Sequence, residues 1–138
     1  MGDGPGGWLR PCHPDSASHE PRRLQARVFH TADDLMLRRY RASATLPVEE
    51  RYGLQSQLRR AALSVPLNIV EGSARKTLKE YLSFLNVATA SNAEVLYLLT
   101  VVRRLGLLEA GTTETLAHEY RALLKSLRAM LRGLSDRA

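Results

Sequence analysis

Four polar residues in the middle of the chain carry the functional groups best suited to chemistry. Asn68 and Glu71 lie about one helical turn apart shortly after Pro66, and Ser91 and Glu94 have the same spacing further on. Two carboxylates held close together could share the roles of general acid and general base.

The same residues also have a structural interpretation. Pro66 lies within an amphipathic helical pattern, where it has no N–H to donate and leaves a carbonyl one turn earlier without its usual partner. If the two segments pack as antiparallel helices, the four side chains can form a partly buried polar network that satisfies such groups. No feature indicates a substrate pocket, so the sequence favours this network over a ligand or catalytic site.

The remaining candidates for chemistry form no catalytic or metal-binding motif. The four histidines (His13, His19, His30 and His118) have no metal-ligand spacing such as HExxH, and Cys12 is the one cysteine. A single cysteine excludes a disulfide framework and a cysteine-based zinc site. The sequence contains neither a Walker loop nor GxGxxG. We therefore expect no enzymatic activity, no cofactor and no metal.

The charge of the chain points to an anionic partner. The 138 residues carry a net charge of +6, and residues 1–23 contribute nothing to it because their three basic and three acidic groups cancel. Arginine greatly outnumbers lysine in the remainder. Its forked donors suit phosphate groups, although a GC-rich genome would also enrich arginine. Such a genome does not explain the net charge.

The basic residues fall into clusters along the helical segments. Arg121, Lys125, Arg128 and Arg132 lie within about 60° on one helix, opposite its apolar side. We call these four residues the basic stripe. A solvated face is the usual meaning of such a pattern, but four like charges without an acidic neighbour repel one another. Together with the stripe, the predicted nucleic-acid-binding residues are Arg59, Arg60, Arg75, Lys76, Lys79, Arg103 and Arg104.

Hydrophobic spacing predicts an all-α domain. Residues 1–23 are rich in glycine and proline and read as a disordered leader, or as upstream sequence translated from a wrongly chosen start codon. Residues 24–138 are predicted to form four helices, at about 24–44, from 48–50 to 72 or 73, 77–105 and 112–134. Gly106 should close the third helix, and Thr112 or Thr113 should cap the fourth. Short connections favour an antiparallel up-down-up-down four-helix bundle.

The third helix carries two apolar lines where a bundle needs one. One line comprises Leu78, Leu82, Leu85, Leu96 and Leu99, and the other Tyr81, Phe84, Ala88, Val95, Leu98, Val102 and Leu105. Two lines favour burial on two sides, by the bundle and by a second copy of the chain. The alternative is one wide core-facing arc. The fourth helix shows a heptad line with Leu116, Tyr120, Leu123, Leu127, Met130 and Leu134, and a second line of Ala117, Leu124 and Leu131 lies beside it.

The sequence predicts neither export nor membrane insertion. The N-terminus lacks the apolar run of a signal peptide, and no stretch of 18 uncharged apolar residues occurs. We therefore expect a cytoplasmic protein without membrane contact.

Several segments resemble the family of 23S rRNA intervening-sequence proteins. The segment from Gln57 to Gly72, which contains Ser64-Val65-Pro66 followed by Asn68-Ile69-Val70-Glu71-Gly72, is similar to the family signature, with Val70 where alanine is usual. Supporting matches are Glu50–Leu54, Lys79–Leu85, Ser91–Glu94 and Arg104–Leu108. The resemblance covers about residues 27–134. It implies a four-helix bundle assembled as a ring-shaped homopentamer, which agrees with two apolar lines on the third helix.

The family resemblance implies two kinds of role. Some members are encoded within rRNA insertions, and others are the accessory variability determinants of diversity-generating retroelements, which partner a reverse transcriptase and bind nucleic acid. The positive charge favours a non-enzymatic accessory protein that binds RNA or DNA through phosphates, with a reverse transcriptase as a further partner. The alternative is a structural adaptor between proteins, or an rRNA- or ribosome-associated protein. A small-molecule site near Asn68, Glu71 and Glu94 ranks third.

Overall fold

Four α-helices and no strand make up the described part of the chain. The computed structural model describes residues 19–43 and 53–136. The helices are α1 (His19–Ser43), α2 (Leu54–Ser73), α3 (Leu78–Arg104) and α4 (Ala110–Ser135). The predicted all-α class is therefore confirmed for these residues. Residues 1–18, 44–52 and 137–138 lie outside the described part, and with them most of the predicted leader and the predicted start of the second helix.

The first helix begins earlier than the sequence predicted. It starts at His19, five residues before Leu24, so the last five residues assigned to the leader are helical. Pro21 is compatible with this start because the first four N–H groups of a helix have no partner within it. The second helix runs without interruption through Pro66 and ends at Ser73, as predicted.

Local hydrogen bonds fix both ends of α3. Thr77 precedes the helix in extended conformation, and its hydroxyl oxygen accepts a hydrogen bond from the N–H of Glu80 at 3.2 Å. At the other end Gly106 has φ +66° and donates its N–H to the carbonyl of Arg103, while Leu107 donates to Val102. This is a Schellman motif, in which glycine takes the left-handed conformation at no steric cost. The predicted role of Gly106 is confirmed.

The predicted cap of α4 is wrong. The helix begins at Ala110, with Glu109 at the N-cap position and no side-chain cap hydrogen bond. Thr113 is already helical, and its hydroxyl donates to the carbonyl of Glu109 at 3.0 Å. Threonine makes this bond to the preceding turn inside a helix, which is why its presence alone did not locate the start.

Each helix packs on its two neighbours in a closed circuit. The contacts join α1 with α2, α2 with α3, α3 with α4, and α4 with α1. The core is mostly aliphatic and also contains Phe29, Tyr81 and Tyr120. On α4, every residue of the predicted heptad line is buried, so that line is confirmed: Leu116, Tyr120, Leu123, Leu127, Met130 and Leu134.

The two apolar lines predicted on α3 merge into one. Its buried residues are Tyr81, Leu85, Ala88, Ser91, Asn92, Val95, Leu99 and Val102. They come from both predicted lines, and the flanking Leu82 and Leu98 are half-buried. Because α3 packs on α2 on one side and on α4 on the other, one wide arc accounts for both flanks. The two lines therefore give no independent reason for a second copy.

The length and composition of α3 also fit a membrane span. An 18-residue window of this helix has a mean hydropathy of 1.3. The core helix of a soluble bundle has the same properties, and 44% of that window is buried against the rest of the chain. A single helix with these properties is weak evidence for a membrane span.

Candidate nucleic-acid interface and buried polar groups

A small hydrogen-bonded cluster joins the middle of α2 to the middle of α3. The hydroxyl oxygens of Ser64 and Ser91 are 2.7 Å apart. The side-chain amide of Asn68 donates to the hydroxyl of Ser64 at 2.9 Å and to its carbonyl at 2.7 Å. We call Ser64, Asn68 and Ser91 the serine–asparagine cluster. It satisfies polar groups between two packed helices, which is a structural role.

The two acidic residues of the predicted polar network, Glu71 and Glu94, are not part of the cluster. The structure joins Asn68 to Ser91 through Ser64, which was not predicted, and leaves Glu71 and Glu94 exposed. Glu71 follows the buried Ile69 by two residues, and Glu94 follows the buried Asn92 in the same way. Two residues correspond to a turn of about 200° around a helix, which directs both carboxylates away from the core. They do not form a paired acid–base site.

The Gly72 of the signature allows the end of α2 to approach α3 closely. A Cβ atom at Gly72 would lie 2.9 Å from Cβ of Phe84 and 2.9 Å from Cδ2 of Tyr81. Real Cβ atoms do not approach other carbons so closely, so any side chain here would push the helices apart. Gly72 therefore fixes the close packing of the end of α2 on α3.

Arg39 and Tyr120 are core residues whose side-chain polar groups have no hydrogen-bond partner among residues 19–43 and 53–136. Arg39 on α1 is 0% exposed, and its three guanidinium nitrogens are all unpartnered. Tyr120 on α4 is also 0% exposed, with an unpartnered hydroxyl. Burial is the largest cause that lowers the pKa of Arg39; nearby Tyr120 raises it in part, and Arg59 lowers it. Burial raises the pKa of Tyr120 above that of an exposed tyrosine. Charging either group inside the core is unfavourable.

Arg38, the partly exposed neighbour of Arg39, is hydrogen-bonded and ion-paired. Arg38 donates to the carboxylate of Glu119 on α4, and Asp34 lies 3.7 Å away on its own helix. The hydrogen bond to Glu119 is the largest cause that raises the pKa of Arg38. Adjacent arginines on α1 thus have opposite environments.

Sequence analysis missed Arg39 and Asn92, although spacing could have found both. Buried residues on α1 include Gln25, Val28, Ala32, Leu35 and Arg39, which alternate by three and four residues. On α3 the same alternation passes through Asn92, which is 0% exposed with both amide atoms unpartnered. Both polar residues occupy core positions of a heptad pattern. Because both residues are polar, they were not assigned to the lines of apolar residues that predict a core.

Most of the predicted nucleic-acid-binding residues lie on the surface. Three of them are engaged within the chain: Arg59 lies over the ring of Tyr40 at 5.0 Å, Arg75 over the ring of Phe84 at 4.6 Å, and Arg103 pairs with Glu114 at 2.8 Å. Arg59 is half-buried, and the other ten are exposed: Arg60, Arg75, Lys76, Lys79, Arg103, Arg104, Arg121, Lys125, Arg128 and Arg132.

All four residues of the basic stripe are exposed on α4. From Arg121 to Arg132 the stripe extends about 16 Å, at about 1.5 Å of rise per residue. No salt bridge to an acidic group within residues 19–43 and 53–136 involves any of the four. The stripe is therefore a row of exposed positive charge, whereas on α1 Asp33 and Asp34 lie between Arg27 and Arg38.

The stripe begins at a cleft between α3 and α4. This cleft has a volume of about 190 Å³ and brings together two predicted residues, Arg103 and Arg121, from different helices. The remaining lining residues are Leu99, Thr100, Thr113, Glu114 and Ala117. Within the described residues, no group of three or more histidine, cysteine, aspartate or glutamate side chains could hold a metal ion.

Comparison with known proteins gives a family and a fold. A family model described as 23S rRNA-intervening sequence protein matches residues 25–129. The chain is also similar to a crystal structure of a protein with unknown function from the S23 ribosomal protein family of Bacteroides thetaiotaomicron. The two share 18% sequence identity with a TM-score of 0.74, over 79% of this chain and 98% of that chain. No curated protein matches the chain. At this identity the similar structure shows the fold alone.

Proposed function

Because the chain belongs to the 23S rRNA-intervening sequence protein family, we propose that it is a non-enzymatic accessory protein that binds RNA or DNA through phosphate groups. The observation that carries this proposal is the basic stripe, which is exposed along about three turns of α4 and forms no salt bridge with the acidic groups of residues 19–43 and 53–136. Its 16 Å length corresponds to about five nucleotides of one strand at about 3.4 Å each. The proposal places the protein in the cytoplasm, without membrane contact, cofactor or catalytic site.

Binding of this kind is sequence-tolerant and depends steeply on salt. Each neutralised phosphate releases condensed counterions, and the logarithm of affinity falls with the logarithm of salt by about 0.7 per contact for single strands. No aromatic side chain is among the predicted binding residues, so stacking on bases contributes little.

A charge-matched pair of variants tests the proposal. Lys125→Gln/Arg128→Gln/Arg132→Gln removes three charges from the stripe, and Arg23→Gln/Arg27→Gln/Arg41→Gln removes three exposed charges from α1. We expect the stripe variant to reduce the salt slope for single-stranded RNA by about 2, and the α1 variant to change it little. Fluorescence anisotropy at several salt concentrations measures both slopes. Wild-type affinity that is absent at low salt, or equal slopes for the two variants, would refute the proposal.

For the assembly, we propose an up-down-up-down bundle that forms a ring-shaped homopentamer. Two contacts support the antiparallel arrangement of α2 and α3: the end of α2 at Gly72 lies against Tyr81 near the start of α3, and Ser64 meets Ser91. Five copies would carry a charge of about +30, which strengthens phosphate binding. Light scattering of the purified protein tests the stoichiometry, and a monomeric mass would refute it.

The second candidate is a protein adaptor, associated with a reverse transcriptase or with the ribosome. It is favoured by the exposed apolar side chains of Leu63 and Leu67 on α2 and Val87 on α3, since apolar surface suits a protein partner. Capture of a reverse transcriptase or of ribosomal components after nuclease treatment separates the two candidates. A partner retained without nucleic acid supports the adaptor, and one lost with nucleic acid supports the first proposal.

A further inference from the structure

We propose that the cleft between α3 and α4 binds a sugar phosphate and prefers ribose to deoxyribose. This inference rests on the proposed function, because it assigns to one place on the basic surface a selectivity for RNA. The cleft combines two arginines for the phosphate with oxygen acceptors for a sugar hydroxyl: those of the exposed Thr100 and Glu114 and of the buried Thr113.

The two arginines approach the cleft from different helices. Arg103 is in the last turn of α3, and Arg121 is in the middle of α4. Guanidinium groups from two sides can hold different oxygens of one phosphate. With Glu114 included, the charged side chains of the cleft sum to +1, which one phosphodiester group balances. Arg103 and Glu114 are more than half exposed, so a phosphate can share Arg103 at little cost to their ion pair.

The threonine hydroxyls are oriented to accept hydrogen bonds. Thr100 donates its hydroxyl hydrogen to the carbonyl of Leu96 at 3.0 Å, and Thr113 donates to that of Glu109 at 3.0 Å. Since each hydroxyl has one hydrogen, the oxygens retain only acceptor sites. Acceptors repel phosphate oxygens but suit a hydroxyl donor. The 2′-hydroxyl, which RNA has and DNA lacks, supplies such a donor beside a phosphate.

The size of the cleft limits what it can enclose. Its volume of about 190 Å³ is below the roughly 300 Å³ that is the lower limit for pockets that bind drug-sized ligands. A sugar with its phosphate suits this volume better than a whole nucleotide with its base. The floor consists of the buried Leu99 and the half-buried Ala117, which give no ring for a base to stack on. The base is therefore expected to remain outside.

A matched pair of threonine variants isolates the hydroxyl contact. Thr100 and Thr115 are both exposed, and each donates to the carbonyl four residues earlier, at 3.0 and 2.9 Å, but only Thr100 lines the cleft. We expect wild type to bind single-stranded RNA about 2- to 10-fold more tightly than DNA of the same sequence, which is the effect of one hydrogen bond. The RNA and DNA oligonucleotides contain only A, C and G, so that the two differ only in the sugar. Thr100→Val should bring the ratio close to one, and Thr115→Val should leave it unchanged.

A matched pair of arginine variants tests the phosphate contact with a free ligand. NMR titration with ribose 5-phosphate should shift the amides around the cleft in wild type and Arg27→Met, and leave them unshifted in Arg121→Met. 2-Deoxyribose 5-phosphate should bind more weakly than ribose 5-phosphate. Thermal unfolding of every variant checks that it is folded, which we expect because all four replaced side chains are exposed.

The outcomes separate this inference from the proposed function. Salt-dependent RNA binding with equal affinity for DNA, or equal effects of Thr100→Val and Thr115→Val, would overturn the ribose-selective cleft and leave the proposed function standing. Cleft shifts with ribose 5-phosphate in a protein that binds no oligonucleotide would support the cleft as a site for free sugar phosphates and refute the proposed function. No shift and no RNA preference would overturn the inference entirely.

Discussion

Replacing the buried Arg39 with methionine is expected to stabilise the protein. Arg39 is 0% exposed, and none of its three guanidinium nitrogens has a hydrogen-bond partner in the described part of the chain. The charge has therefore lost its hydration without gaining a bond, which is among the most unfavourable arrangements in a core. Methionine keeps an unbranched stem of similar length, fills irregular gaps and carries no charge.

The size of the effect follows from this environment. Replacement of buried ionic groups by apolar residues of similar volume typically ranges from neutral to about 4 kcal/mol of stabilisation. Because Arg39 lacks even one compensating hydrogen bond, we expect about 2 kcal/mol in the free energy of unfolding. For a domain of this size, about 4 °C in Tm corresponds to 1 kcal/mol, so the expected rise is about 8 °C.

Arg38→Met is the matched control because it replaces the adjacent arginine with the same residue. Arg38 donates to Glu119 and is partly exposed, so its loss should cost about 0.5–1 kcal/mol. Urea unfolding followed by circular dichroism at neutral pH measures both variants. The two changes should have opposite signs. An Arg39→Met protein that is less stable than wild type by more than about 1 kcal/mol would refute the reasoning, because the guanidinium would then have a stabilising partner.

Three further predictions concern packing and titration. Gly72→Ala should lower the free energy of unfolding by about 1–3 kcal/mol, because the new Cβ meets side chains of α3 at 2.9 Å. Gly133→Ala, whose Cβ meets nothing within 4 Å, should raise it by about 0.5–1 kcal/mol. Equal shifts of Tm for the two variants would contradict this reasoning. Ser91→Ala should lower the free energy of unfolding by about 1–3 kcal/mol, because Ser64 loses its hydrogen-bond partner on α3. A loss below about 0.5 kcal/mol in chemical unfolding would show that this contact contributes little to stability. The raised pKa of Tyr120 means that the folded protein favours the neutral hydroxyl, so stability should fall as pH rises above about 10. Tyr120→Phe should reduce that fall in pH-dependent urea unfolding, and an unchanged slope would exclude this tyrosine as its cause.

Helices were predictable from sequence where local signals determine them. The ends of α3 depend on Thr77 and Gly106, whose side-chain cap and positive φ are properties of those residues themselves. The core line of α4 was predictable because each of its positions is apolar. The start of α4 was not, since Thr112 and Thr113 bond equally well inside a helix.

The buried polar groups were harder to predict because residue type and position conflict. Arg39 and Asn92 occupy core positions by spacing, but arginine and asparagine are usually exposed. The cleft depends on Arg103 and Arg121 coming from different helices, and their sequence separation carries no information about that distance. Clusters of charge were visible in the sequence, whereas their grouping across helices required the fold.

The tight α2–α3 contact has a consequence for the order of folding. Only residues 74–77 separate the two helices, and their mutual contact is the most extensive of any described pair. A short connection loses little chain entropy on closure, so this hairpin is expected to form early, around the contact of Ser64 with Ser91. The pairing of α1 with α4 brings distant parts of the chain together and should form last. Substitutions at the hairpin should therefore slow folding, and those between α1 and α4 should mainly speed unfolding.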